Sequence, residues 1–194
     1  MSTTDAGSLQ GIDLSEDEYT VVQSLVREKY RAEDPDGNVV LRGKQKMLKM
    51  KEEFPFVDGD GNEVFTVKAE GISDVAGNYT LQDAQTGEEV VMLDNDFSTF
   101  QDTWKLRDPK TEAKVAEINS RGAGATFARR ALPFGRILFP HKYEITDSEE
   151  DHVGDISGQI SLKDTYDISI DDASDVPKEV IIAAAMVIDA IQQN

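Results

Sequence analysis

Tyr79-Thr-Leu-Gln-Asp83-Ala-Gln-Thr-Gly87-Glu-Glu-Val-Val-Met-Leu93 reads as one complete β-hairpin. Tyr79 and Leu81 alternate with polar residues, so an extended strand here offers one face to a core. Asp83 can cap a turn through its carboxylate, and Gly87 supplies the positive φ that a tight reversal needs. Val90 to Leu93 then return as the second strand.

The same unit recurs. Segments beginning at Tyr30, Phe54, Tyr79, Trp104, Tyr143 and Tyr166 each start with an aromatic residue, at spacings of 24, 25, 25, 39 and 23 residues. Five of the six place Asp four residues on, at Asp34, Asp58, Asp83, Asp108 and Asp147. Turn chemistry follows, as in Pro35-Asp-Gly-Asn38 and Gly59-Asp-Gly-Asn62, and return strands such as Val39 to Leu41 and Val115 to Ile118 complete each hairpin. Hairpins in series make an antiparallel meander, and closing that sheet removes its exposed edges. The pattern predicts a mainly β fold: an antiparallel closed barrel of repeated hairpins, with eleven strands in the repeats and a twelfth near residues 126–131.

The C-terminus breaks the repeat. Asp175, Pro177 and Glu179 suit a helix start, and residues 180–188 are then apolar on every side. A helix hydrophobic all round belongs in a core or a bilayer, and this run is well short of the ~20 residues that span one. The expectation is a buried C-terminal helix that threads the barrel. Near the N-terminus, Ser15 and Glu18 match a capping box, predicting a short helix through about residue 26. Tyr19, Val21 and Val22 could equally open a strand, and the sequence leaves both readings standing. Residues 1–14 read as a flexible tail ahead of a domain covering 15–194.

Composition narrows the classes. The chain of 194 residues suffices for one domain with its own core, and the absence of cysteine excludes disulfides, thiolate metal sites and cysteine nucleophiles. Residues 1–11 lack the apolar stretch of a signal peptide, which together with the cysteine usage suggests the cytoplasm. Twenty Lys and Arg against 38 Asp and Glu give a net charge of −18, which repels nucleic acid over most of the surface. With 39% hydrophobic residues in regular patterns, disorder is not the explanation. The acidity reads as a solvation habit of the kind seen in halophilic archaea, where salt screens self-repulsion.

The segment Leu41-Arg-Gly-Lys-Gln-Lys46, the hairpin Phe56-Val-Asp-Gly-Asp-Gly-Asn-Glu-Val64 and the apolar helix over 176–191 together resemble the LURP-one-related family across residues 25–192. That family shares the tubby C-terminal fold with phospholipid scramblases. The resemblance implies a twelve-stranded barrel around a hydrophobic helix and no established enzyme activity. Tubby-like relatives bind phosphoinositides through basic residues, whereas the LURP-one-related branch largely lacks an assigned biochemical role. The chain differs from the family in its acidity and in a long insertion between the fourth and fifth repeat aromatics.

Two segments carry no acidic residue. Residues 37–51 hold Arg42, Lys44, Lys46, Lys49 and Lys51; residues 118–143 hold Arg121, Arg129, Arg130, Arg136 and Lys142 among apolar residues such as Phe134, Ile137 and Phe139. Arg42, Lys44, Lys46, Arg129, Arg130, Arg136 and Lys142 are the candidate ligands for anionic lipid headgroups, at the inner membrane surface. The competing expectations are ordinary surface solvation and a soluble protein-interaction or regulatory module whose partner is another protein. A scramblase-like membrane role would require the helix to leave the barrel.

Other sites find less support. Asp58, Asp60 and Asn62 have the spacing that opens a calcium loop, but Glu63 and Ala69 occupy the positions where that loop needs Gly and Glu. His141 and His152 lack metal-pair spacing, and Gly122-Ala-Gly124 lacks a strand–helix setting. No catalytic residue, metal or cofactor is expected, and function falls to the outer surface.

Overall fold

The computed structural model describes residues 7–24, 29–44, 54–70, 78–97, 102–120, 142–159, 165–171 and 176–192. The strands are β1 (Glu18–Ser24), β2 (Lys29–Glu33), β3 (Val39–Lys44), β4 (Phe54–Asp58), β5 (Glu63–Glu70), β6 (Asn78–Asp83), β7 (Glu89–Phe97), β8 (Asp102–Arg107), β9 (Lys114–Ser120), β10 (Lys142–Asp147), β11 (His152–Gly158) and β12 (Thr165–Ile170). Each pairs antiparallel with the next, and β1 pairs with β12 to close the barrel. The helix α1 (Lys178–Gln192) follows.

The repeat fixes strand direction. Each even-numbered strand carries its aromatic near the start, and β2, β4, β6, β8 and β10 end at or beside a repeat Asp. Tyr30, Trp104, Tyr143 and Tyr166 are buried, and Tyr79 packs against the same core. Because neighbours run antiparallel, the five Asp turns gather at one end of the barrel, the turn end. Connections from odd to even strands leave from the opposite end; they are 25–28, 45–53, 71–77, 98–101, 121–141 and 160–164 and lie outside the described residues.

The twelfth strand is β1. Tyr19, Val21 and Gln23 turn inward, and Val21 is paired with both Tyr166 and Ala32. A helix here would have left β2 and β12 with open edges, so closure decides between the two local readings. Ile118 of β9 pairs directly with Ile145 of β10, which leaves no place between them for a strand from residues 126–131. Those residues are themselves outside the described set.

Residues 7–14, expected as part of a tail, lie across the turn end. Leu9 and Leu14 are 3% and 7% exposed and belong to the core, with Ile12 packed beside them. The N–H of Gln10 donates to Asp83 Oδ2 at 2.6 Å. The Lys178 ammonium donates to the carbonyls of Ser15 and Glu16 and to the Asp17 carboxylate, which ties this strap to the first turn of the helix.

In α1 the nine residues Val180 to Ile188 are each at most 4% exposed and share one core cluster with the inward faces of all twelve strands. Burial on every side puts the helix inside the barrel, as the sequence predicts. Its six larger aliphatic side chains contribute on the order of 10 kcal/mol of gross burial before chain entropy is counted. Three consecutive alanines, Ala183 to Ala185, keep the helix thin enough for the wall to close around it. Pro177 stands just ahead of α1 and Glu179 in its first turn; the expected cap, Asp175, is outside the described residues.

Candidate functional site

The barrel axis is taken by apolar side chains, and the polar atoms inside it are few. Trp104 Nε1, Tyr166 OH and Asn95 Oδ1 are buried with no hydrogen-bond partner. Burial, and then the negative charge of Asp189 on α1, push the Tyr166 phenol well above the ordinary tyrosine range. These groups line a packed interior, so the outer surface and the two ends are where a partner can reach the chain.

At the turn end each repeat Asp folds its carboxylate onto its own backbone. Asp58 Oδ1 accepts the N–H groups of Asp60, Gly61 and Asn62 at 2.9, 2.7 and 2.8 Å, while Oδ2 accepts the Asn62 amide at 2.9 Å. Asp34 repeats the pattern with Asp36 and Asn38. The side-chain bond from Asn38 to Asp34, and that from Asn62 to Asp58, hold both carboxyls below the ordinary Asp range. The Lys110 N–H does the same for Asp108. Burial pushes Asp83 upward, but donors from Thr86, Gln10 and Gln85 outweigh it and leave its carboxyl low. The Asp58–Asp60–Asn62 spacing is therefore that of a turn, with its lone pairs already directed at N–H groups. Among the described residues no group of three His, Cys, Asp or Glu side chains could hold a metal ion.

Two further features lie near this end. A shallow cleft of about 250 Å³ runs between Gly7, Ser8 and Gln10 of the strap and the turns bearing Thr86, Glu88 and Pro109. His152, at the start of β11, stands 3.2 Å from Glu144 and 3.8 and 3.9 Å from Asp155 and Asp171. It is half-exposed among carboxylates with no nucleophile beside it, an arrangement of surface charge compensation. His141 and Gly122 to Gly124 lie outside the described residues.

Of the basic candidates, Lys44 and Lys142 fall at the opposite strand ends and Arg42 at mid-strand, paired with Val57. Arg42 is exposed on the outer face of β3, Lys44 is the last residue of that strand, and Lys142 is exposed at the first position of β10. Four strands, β2, β1, β12 and β11, separate β3 from β10 the shorter way round, so Lys44 and Lys142 share an end but not a wall. Lys46, Arg129, Arg130 and Arg136 lie outside the described residues; the strands that their segments join end at the same end.

The register brings in two residues that the sequence pattern passes over. Lys29 is paired with Lys44, and Arg31 with Arg42. Tyr30 and Ala32 face the core, so Arg31 occupies an outward position, as Arg42 does between inward Leu41 and Gly43. Facing like charges destabilise a strand pair by a few tenths to about 1 kcal/mol. Here Arg31 and Arg42 stand opposite each other in a chain of net charge −18. Arg31 Nε bonds Glu33 on its own strand, and the flanking positions are Val22 on β1 and Val57 on β4. The signal was present in the sequence: a repeat aromatic that points inward forces both its neighbours outward.

The seam beside this hairpin is short. Only Leu41–Asp58 and Arg42–Val57 join β3 to β4, against six register pairs between β5 and β6. Gly43 makes room for the Phe56 ring, since a Cβ there would sit 2.4 Å from it, and that ring stacks on Phe65 at 4.5 Å between centroids.

A family model described as LURP-one-related matches residues 39–189. An X-ray structure of a protein from Arabidopsis thaliana is similar over 90% of this chain and 91% of that one, with a TM-score of 0.56 and 10% identity. At that identity the likeness bears on the fold alone. No curated protein matches the chain. Among the described residues no helix is long and apolar enough to cross a membrane.

Proposed function

The chain belongs to the LURP-one-related family, and on that footing we propose that it is a non-enzymatic binding domain that docks on anionic lipid headgroups with the end of the barrel opposite the Asp turns. The observation that supports this reading is that both acid-free stretches of the sequence lead to the end of the barrel opposite the Asp turns. The turn end carries Asp34, Asp58, Asp83, Asp108 and Asp147, with Glu149, Glu150 and Asp151 beside them. The opposite end carries Lys44 and Lys142 together with Glu70, Asp96 and Asp102, and two of the segments that join strands there hold Lys46 and Arg129, Arg130 and Arg136. Clustered Lys and Arg of these stretches attract a negative surface, which favours approach by that end.

The fold that the LURP-one-related family shares with tubby-like and scramblase proteins supports a peripheral site of action at the inner membrane surface. The acid excess elsewhere fits solvation in concentrated salt, as in a halophilic archaeon. Sedimentation with vesicles tests the proposal at high and low salt, using phosphatidylcholine alone and with an anionic phospholipid. The wild-type chain is expected to pellet with the anionic vesicles only, and an Arg129/Arg130/Arg136→Ala variant to pellet less. Absence of pelleting, or pelleting indifferent to lipid charge, overturns it and leaves the soluble protein-interaction module as the function.

A further inference from the structure

The turn end of the barrel is covered by a segment that belongs to no strand. Leu9 and Leu14 of this strap are buried in the same core cluster as α1, and Ile12 packs beside them. Gly11, at φ 81°, lies so close to the β6–β7 turn that a Cβ there would meet Gln85 Nε2 at 2.0 Å. The strap is closely seated, yet among the described residues the backbone of 7–16 makes no hydrogen bond to backbone groups of the barrel. Its N–H groups go to carboxylates instead. Gln10 donates to Asp83, and Leu9 to Glu179 in the first turn of α1.

Residues 15–17 are fixed more firmly. Lys178 donates to the carbonyls of Ser15 and Glu16 and to the Asp17 carboxylate, and the Asp17 carbonyl accepts the Ile170 N–H at 2.8 Å. A segment anchored at one end, and otherwise held by a few apolar side chains and N–H···carboxylate bonds, opens at lower cost than strands paired on both sides. Its opening bares the seats of Leu9 and Leu14 beside the start of α1, while the closure of the twelve strands stays intact.

The carboxylates couple this opening to pH. Burial raises the half-buried Glu179 carboxyl; its own N–H and that of Leu9 oppose the rise, and the charge of exposed Asp13 on the strap adds to it. Lys178, the neighbour of Glu179 on α1, is engaged by the anchor, and Asp83 already accepts Gln10, Gln85 and Thr86. A carboxyl raised in the closed state stabilises closure fully below its open-state value and loses that contribution as pH rises through the elevated one. Asp83 sets the other limit: its carboxyl is lowered, so its hold on the strap is lost as pH falls through the native value.

We propose that residues 7–14 are a pH-responsive strap that opens as a unit about the Lys178 anchor while the barrel stays folded, and that ionisation of Glu179 is the step that loosens it. The strap lies at the end away from the basic segments, so its opening is independent of headgroup binding.

Hydrogen exchange on the full chain between about pH 5 and pH 8, corrected for the intrinsic rate, compares the Leu9 and Gln10 amides with those of Val67 and Leu81 in the wall. The strap is expected to show at least about tenfold less protection than the wall at every pH, and a further loss of at least about threefold as pH rises. In Glu179→Gln, checked for folding by its thermal midpoint, that further loss disappears. Where this variant does not fold, Asp13→Asn takes its place and a shallower pH dependence is expected. Strap amides protected as strongly as the wall overturn the opening, because the segment then exchanges only by global unfolding. A wild-type strap insensitive to pH, or a pH dependence unchanged in the folded Glu179→Gln chain or in the Asp13→Asn chain that replaces it, overturns the role of Glu179.

Discussion

Asp34, Asp58, Asp83 and Asp108 aim their carboxylates back at the backbone of their own turns, whereas Lys29, Arg31, Arg42 and Lys44 stand opposite one another across two strands toward the other end. Both sets sit on the same meander. The first set is satisfied within four residues of sequence, so its charge has become part of the chain's architecture. In the second set Arg31 has Glu33 as a close partner and is paired in register with Arg42. The difference teaches that abundant acid in this chain is no guide to a site, because much of it caps turns.

The largest effect expected from breaking this contrast lies at Asp83. Its side chain is 1% exposed, and it holds N–H groups of both its turn and the strap. Asp83→Ala should cost about 2 kcal/mol or more in denaturant unfolding, since it strands several buried donors at once. Asp58→Ala, with the same turn geometry exposed to water, should cost distinctly less. Equal losses would mean that the strap adds nothing to the turn beneath it.

Acid should act on the turn end next. The lowered Asp carboxyls contribute stability that is fully present above the unfolded Asp value of about 3.9 and is lost as pH falls through their lower native values. Thermal midpoints should therefore drop steeply below about pH 4, and the drop should be shallower in Asp58→Ala. Glu179 works the other way: burial raises its carboxyl, so its contribution is complete below the unfolded Glu value and declines as pH rises through the elevated one. At the alkaline limit the raised Tyr166 phenol contributes below about pH 10 and fades above it. The smallest effect belongs to the opposite end. Arg31→Gln/Arg42→Gln should leave stability within about 0.5 kcal/mol of wild type or raise it slightly at low salt, because it removes facing like charges. A loss of several times that size would make the pair structural.

What could be read from the sequence was whatever local chemistry dictates. An aromatic followed four residues later by Asp gives a strand and its turn without reference to the rest of the chain, and nine consecutive apolar residues leave a helix one soluble home. What depended on distant partners was hidden. β1 carries a capping box and an alternating trio at once, and only the waiting edges of β2 and β12 choose between them. Leu9 and Leu14 are two apolar residues in a polar stretch, and their burial comes from the barrel end they cover. Arg42 was singled out by charge alone, yet that Arg31 stands opposite it required the register.

Hydrogen exchange with and without vesicles of anionic phospholipid compares the two ends directly in one measurement. If the basic end is the docking surface, amides of residues 29–31 and 42–44 gain protection on vesicles while the turns at 34–38, 58–62 and 83–88 exchange unchanged. Protection at the turns, or none at the β2–β3 hairpin when the protein is vesicle-bound, would contradict the assignment of docking to that end.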